Sequence, residues 1–187
     1  MRKLLLLLAI FIGWSASAQA DANLLQQTRK GQLLKFKANP ASGFNFDYLV
    51  FIPGQLPPGT ESYLMVEANN TGIVNDSIAV HETAAISAAN HSGVGHYVAF
   101  KLGLPLLIPI FPRPESNWQL YTHALDKDTF LAKGELERLD MQLAAMIEDA
   151  RKQLAQRRFP IKQKYFITGF SASGTFANRF SLLHPEN

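Results

Sequence analysis

The segment FITGFSASGTFANRF, residues 166–180, sets Ser171 among small residues where an apolar run gives way to a helical pattern. A serine at the apex of a tight strand-to-helix turn is held in strained backbone and projects beyond the carboxyl end of its sheet. Its hydroxyl can then attack a carbonyl carbon. Gly169 two residues before it and Ser173 two after it leave room for strand and helix to approach, with Gly174 following. The N–H of Ala172 points toward an oxyanion formed on that carbonyl, and the helix dipole favours its charge. The same turn could instead bind a phosphate through backbone N–H groups without chemistry.

The elements that must carry this turn can be read from hydropathy. Residues 31–38 and 46–53 read as strands split by the turn-rich NPASG, an antiparallel pair, after a polar lead-in. Residues 62–68 form a short apolar strand. From 76 to 102 the alanine-rich segment is mostly helical, with Asp76 or Ser77 as its cap and HSGVG as a break. LPLLIPIFP (104–112) is apolar throughout, as a strand covered on both faces should be. Leu136, Leu139, Leu143, Ile147, Ala150 and Leu154 recur at helical spacing, with Glu137, Asp140, Glu148, Asp149 and Lys152 on the opposite face. Residues 161–170 are the next strand, and the helix after it stops at Pro185. Strand and helix thus alternate from residue 62 onward, which predicts an α/β fold with a mostly parallel sheet, an N-terminal antiparallel hairpin and helices on both faces.

With that order in place, Gly169-Phe170-Ser171-Ala172-Ser173 resembles the G-x-S-x-G nucleophile elbow of the α/β-hydrolases, with serine in place of the last glycine. In that family the elbow follows the fifth strand, as it does here, and the second strand is antiparallel. The resemblance covers residues 31–187 and is to the exported esterase and depolymerase-like members. It implies a serine hydrolase acting on a small-molecule or polymeric ester, with Ser171 as nucleophile and peptide cleavage also open. It also implies a second oxyanion donor after the third strand, in Glu67-Ala68-Asn69-Asn70-Thr71-Gly72. Asn69 or Asn70 could supply a backbone N–H or a side-chain amide, or the pair could be a simple turn before Thr-Gly.

In that family the acid and the histidine follow the serine, and here sixteen residues do. His184 is the one histidine among them, and at about 1.5 Å per residue it lies roughly 20 Å down the helix from Ser171. It cannot be the base. The other histidines precede the serine: His81, His91 and His96 read as surface or satisfied helix residues rather than metal ligands, since further ligands at recognisable spacing are lacking. His123, in a loop with Asp126 and Asp128, could line a pocket with Trp118 and Tyr121, although a solvated loop is the simpler reading; the aspartates lack the pattern of a calcium loop. These 187 residues therefore read as the amino-terminal part of a longer α/β-hydrolase domain, truncated after the elbow helix, with the elbow strand left as an apolar edge.

Compartment and partners follow from the ends and the composition. MRKLLLLLAIFIGWSASAQA has a basic start, an apolar core and an A-x-A exit at Ala18-Gln19-Ala20, the pattern of a secretory signal peptide rather than a membrane anchor. The expected division is a signal peptide over 1–20 and a single domain from 21, exported to the periplasm or beyond. Losing Arg2 and Lys3 takes the formal charge from +3 to +1, so nothing argues for nucleic acid or a membrane surface as partner. There is no cysteine, hence no disulfide and no acylation site. No metal or organic cofactor is implied, and the oligomeric state is open. The rival reading is an exported, non-catalytic ligand-binding protein on the same scaffold.

Overall fold

A computed structural model describes residues 21–69 and 72–186. The predicted signal peptide lies outside the described residues, as do Asn70 and Thr71. Among the described residues no helix is long and apolar enough to cross a membrane.

Six strands form one sheet: β1 (Leu24–Gln27), β2 (Gly31–Phe36), β3 (Tyr48–Pro53), β4 (Ser62–Glu67), β5 (Leu106–Pro109) and β6 (Ile161–Thr168). Their spatial order is β1-β2-β3-β5-β4-β6. β3 pairs antiparallel with both β2 and β5, whereas β4 pairs parallel with β5 and with β6. β2, β4, β5 and β6 therefore run one way, and β1 and β3 run the other. The expected hairpin is β2–β3. The polar lead-in adds a strand the sequence reading omits: β1 has all four residues exposed and no alternation to betray it.

Side-chain alternation divides the core between the two faces of the sheet. Tyr48, Val50 and Ile52 of β3, Leu64 and Val66 of β4 and Leu107 of β5 face one layer, which α4 (Leu139–Gln156) covers with Leu139, Leu143, Met146, Ile147, Ala150 and Leu154. Phe176 and Phe180 of α5 (Ala172–Leu183) complete it. Leu49, Phe51, Met65, Leu106 and Ile108 face the other layer, where Ala85, Ala89 and Ala99 pack on them. Alanines there let the backbone of α1 (Ile78–Ser87) and α2 (Val94–Leu102) lie close to the sheet. β5 is buried at every position, as a strand covered on both sides must be. β6 is one edge of the sheet, and its Phe166 is 49% exposed.

Three local expectations need correction. The cap of α1 is not a side chain: Ser77 makes no capping bond, Asn75 Oδ1 accepts from the Ser77 N–H at 2.8 Å, and the Asp76 carboxylate accepts from Ser116 instead. Asp140 is not on the solvent face of α4. It is fully buried, clasped by Arg138 Nε and Nη2 at 2.9 and 2.7 Å and facing His184 Nε2 at 3.1 Å. Burial alone would raise its carboxyl pKa, but the Arg138 hydrogen bonds outweigh that and hold it below the usual carboxylate range. The 115–130 loop, finally, is partly ordered, because Asp126 Oδ1 caps a short helix, α3 (Lys127–Leu131), by accepting from Thr129 N–H at 2.8 Å.

Candidate functional site

β4, β5 and β6 deliver their carboxyl ends to the same edge of the sheet, and the residues singled out above lie there. The chain leaves β6, passes Gly169 and Phe170, and enters α5 at Ser171, whose backbone is at φ 56°, ψ −121°. Leu125 (φ 48°, ψ 50°) and Arg138 (φ 48°, ψ 58°) also have positive φ but rest in the left-handed helical well. Ser171 does not. Such a conformation costs a non-glycine residue about 1–3 kcal/mol and persists only where the surroundings impose it.

The surroundings are identifiable. A Cβ on Gly169 would stand 2.2 Å from the Ser173 carbonyl oxygen and 2.6 Å from Gly174 N, so strand and helix meet backbone to backbone at this turn. Ser173 is 1% exposed. Its hydroxyl accepts from Phe170 N–H at 2.9 Å and donates to the Phe170 carbonyl at 3.0 Å, closing the turn from inside. That is the use of a serine at the fifth position of the motif. Ser171 is left exposed at the helix start. Ala172, the first residue of α5, precedes the first intrahelical bond, Thr175 N–H to Ser171 O at 3.1 Å.

The loop after β4 is tied to the strand beside it. Asn69 is 2% exposed, and its amide pairs with the Phe111 backbone in both directions: Nδ2 donates to the carbonyl at 3.1 Å and Oδ1 accepts from the N–H at 3.2 Å. The Asn69 side-chain amide is thereby committed to Phe111. Asn70 is outside the described residues.

The histidines are held by other groups or lie at the surface. His123 is 1% exposed, not solvated, and its Nε2 meets the Phe111 carbonyl at 3.0 Å. Desolvation pushes its pKa down to about 4, against the hydrogen bond to Phe111 and with help from nearby His81 and Arg113. His81 is also buried, with Nε2 at 2.8 Å from the Asn75 carbonyl, and His96 packs on Phe51 at 4.8 Å between ring centroids. Only His91 of the first three is at the surface. Trp118 is 67% exposed, and Tyr121 lies under the Arg113 guanidinium at 3.9 Å. Among the described residues no histidine hydrogen-bonds Ser171, and no group of three or more acidic or histidine side chains is placed to hold a metal.

One functional candidate escaped the sequence reading. Glu67 ends β4, is 7% exposed, and lines a cavity of about 310 Å³ together with Ala68, Asn69, Phe170 and Ser173. Its Oε2 accepts from Gly95 N–H at 2.9 Å. A Cβ on Gly95 would lie 2.3 Å from that oxygen, and one on Gly93 3.0 Å from it. The HSGVG break is therefore where a π-helical turn (Ala88–Ser92) ends and two glycines make room for an acid. Burial raises the Glu67 pKa, and the Gly95 N–H only partly offsets it. The signal was an acidic residue closing an apolar strand, SYLMVE, with a Gly-x-Gly to receive it.

No family model matches the chain, and no curated protein matches its sequence. Solved structures do. An S-formylglutathione hydrolase from Agrobacterium tumefaciens superposes with a TM-score of 0.51 at 16% identity, covering 88% of this chain and 58% of that one. A thermostable esterase gives 0.48 at 22% identity, covering 84% of this chain and 38% of its own. The chain thus spans less than two thirds of the length of either structure. Strand order, the reversed β3 and the superposition agree: the chain has an α/β-hydrolase-like fold.

Proposed function

We propose that the chain is the amino-terminal part of an exported serine hydrolase acting on an ester or related acyl bond. Ser171 Oγ attacks the acyl carbon, the alcohol leaves with a proton, and water then releases the acid and restores the serine. The N–H groups of Ala172 and of the loop around Asn69 and Asn70 hold the oxyanion. An acid and a histidine outside these 187 residues complete the relay, because the histidines described here are held by other partners or lie at the surface. The observation that carries this reading is the backbone of Ser171, strained outside the left-handed helical well at the start of α5 and at the carboxyl end of β6. The S-formylglutathione hydrolase on which the chain superposes favours a hydrolytic reaction as well.

The test is hydrolysis of short p-nitrophenyl esters by the longest natural product of the gene. Turnover should vanish in Ser171→Ala and be negligible for residues 21–187 alone. Undiminished turnover in the variant would exclude Ser171, and a folded but inactive full-length protein would favour a ligand-binding scaffold. Export is tested separately, by amino-terminal sequencing of the mature protein for a start at Asp21.

A further inference from the structure

The cavity beside the Ser171 turn has walls of Ala84, Ala88, Val94, Ile108 and Phe170, and Glu67 is the acid among them. Its other polar groups are engaged: the Asn69 amide pairs with Phe111, and the Ser173 hydroxyl with the Phe170 backbone. The Glu67 carboxyl is held by Gly95 N–H, its one hydrogen bond among the described residues. Among the described residues no lysine, arginine or histidine lines the cavity. A carboxyl desolvated to this degree with a single donor and no cation is costly, and structures keep such groups when something else completes them. Gly93 and Gly95 reserve the space it needs, so the acid is built in rather than left over.

We propose that this cavity is a subsite for a primary ammonium group on a short aliphatic stem, with Glu67 as the residue that selects it. An ammonium supplies the charge the cavity lacks and three N–H donors for the open carboxyl positions. The alanine, valine and isoleucine walls suit the methylenes behind it, and 310 Å³ lies at the small end of ligand pockets. Resting on the Ser171 reading, the inference names the substrate class as amino-acyl or aminoalkyl esters, whose charged end enters the cavity while the acyl carbon lies at the serine. The binding half stands whether or not the serine is a nucleophile.

The experiment therefore uses the full chain carrying Ser171→Ala. Methyl resonances of Ala84, Ala88, Val94 and Ile108 are followed at fixed ionic strength during titration with n-butylammonium chloride, n-butanol or sodium butyrate. Butylammonium should shift these methyls, and its apparent Kd should weaken about tenfold or more in Glu67→Gln. Ala84→Leu, which narrows the cavity while keeping the acid, should also abolish the shifts, and together with the butanol and butyrate titrations it decides the matter if Glu67→Gln does not fold. No shift with butylammonium, a response in Glu67→Gln or Ala84→Leu equal to that without the substitution, or butanol or butyrate matching the amine would overturn the proposal. Failure of Ser171 to act as a nucleophile would appear in the ester assay and leave this titration unchanged.

Discussion

Adding one methyl group at Gly169 tests whether the turn imposes the Ser171 conformation. In Gly169→Ala the new Cβ would sit 2.2 Å from the Ser173 carbonyl oxygen and 2.3 Å from its carbon, where ordinary contact begins near 3.4 Å. Both opposing atoms are backbone, so relief requires the start of α5 to move by about 1 Å. Overpacking of this kind costs about 2–3 kcal/mol, and the smaller unfolded-state entropy of alanine returns less than about 1 kcal/mol. For a chain of this size Tm should fall by roughly 4–10 °C. Displacing a nucleophile by about 1 Å should also slow its reaction on the order of a hundredfold. Gly174→Ala is the control, since its Cβ would lie 3.3 Å from the Gly169 carbonyl oxygen on a helical residue, and its stability should change by no more than about 1 kcal/mol. Thermal unfolding and the rate of covalent labelling at Ser171 read both effects. A Gly169→Ala protein as stable and as reactive as the parent, or a Gly174→Ala protein damaged more than it, would refute the argument.

Three further outcomes follow from buried polar groups. His123 is neutral in the folded state down to about pH 4, while the unfolded chain takes up its proton near 6.5, so stability should be lost as pH falls between those values. The loss is on the order of 3 kcal/mol, and in denaturant titrations at pH 7 and 4.5 His123→Gln should flatten it; an unchanged pH dependence would contradict the assignment. Asp140→Asn removes the charge and one of the two carboxylate oxygens that face Arg138 and His184 and should cost about 1–3 kcal/mol, discounted because Arg138 is 43% exposed and can turn to water. The depressed Asp140 pKa makes that contribution present above the unfolded carboxylate value and lost as pH falls through the folded one, so parent and variant should converge in acid. Tyr48→Phe removes the 2.6 Å bond from a buried hydroxyl to Asp149 Oδ2, and chemical denaturation should register about 1–2 kcal/mol.

The sheet was legible because its strands are apolar runs of the right length and its long helix keeps one apolar face. β1 was not, because LLQQ is exposed throughout and owes its strand form to the β2 edge it pairs with. The tight turn around Ser171 could be read locally, since small residues at 169, 173 and 174 are what let strand and helix meet backbone to backbone. What escaped depends on contacts distant in sequence. Asp140 reads as solvent-facing on a helical wheel, yet Arg138 and the far end of α5 enclose it. His123 reads as a loop residue, yet Asn69 and Phe111 bury it. Glu67 and Gly95 are 28 residues apart, and only the fold brings the acid to the glycines that make room for it.

The central claim is an activated serine at residue 171, and the direct measurement is labelling of the longest natural product of the gene with a fluorophosphonate, followed by peptide mapping. One adduct on Ser171, absent from Ser171→Ala, is the predicted result. A folded full-length protein that takes no label, or takes it equally in the variant, would contradict the account.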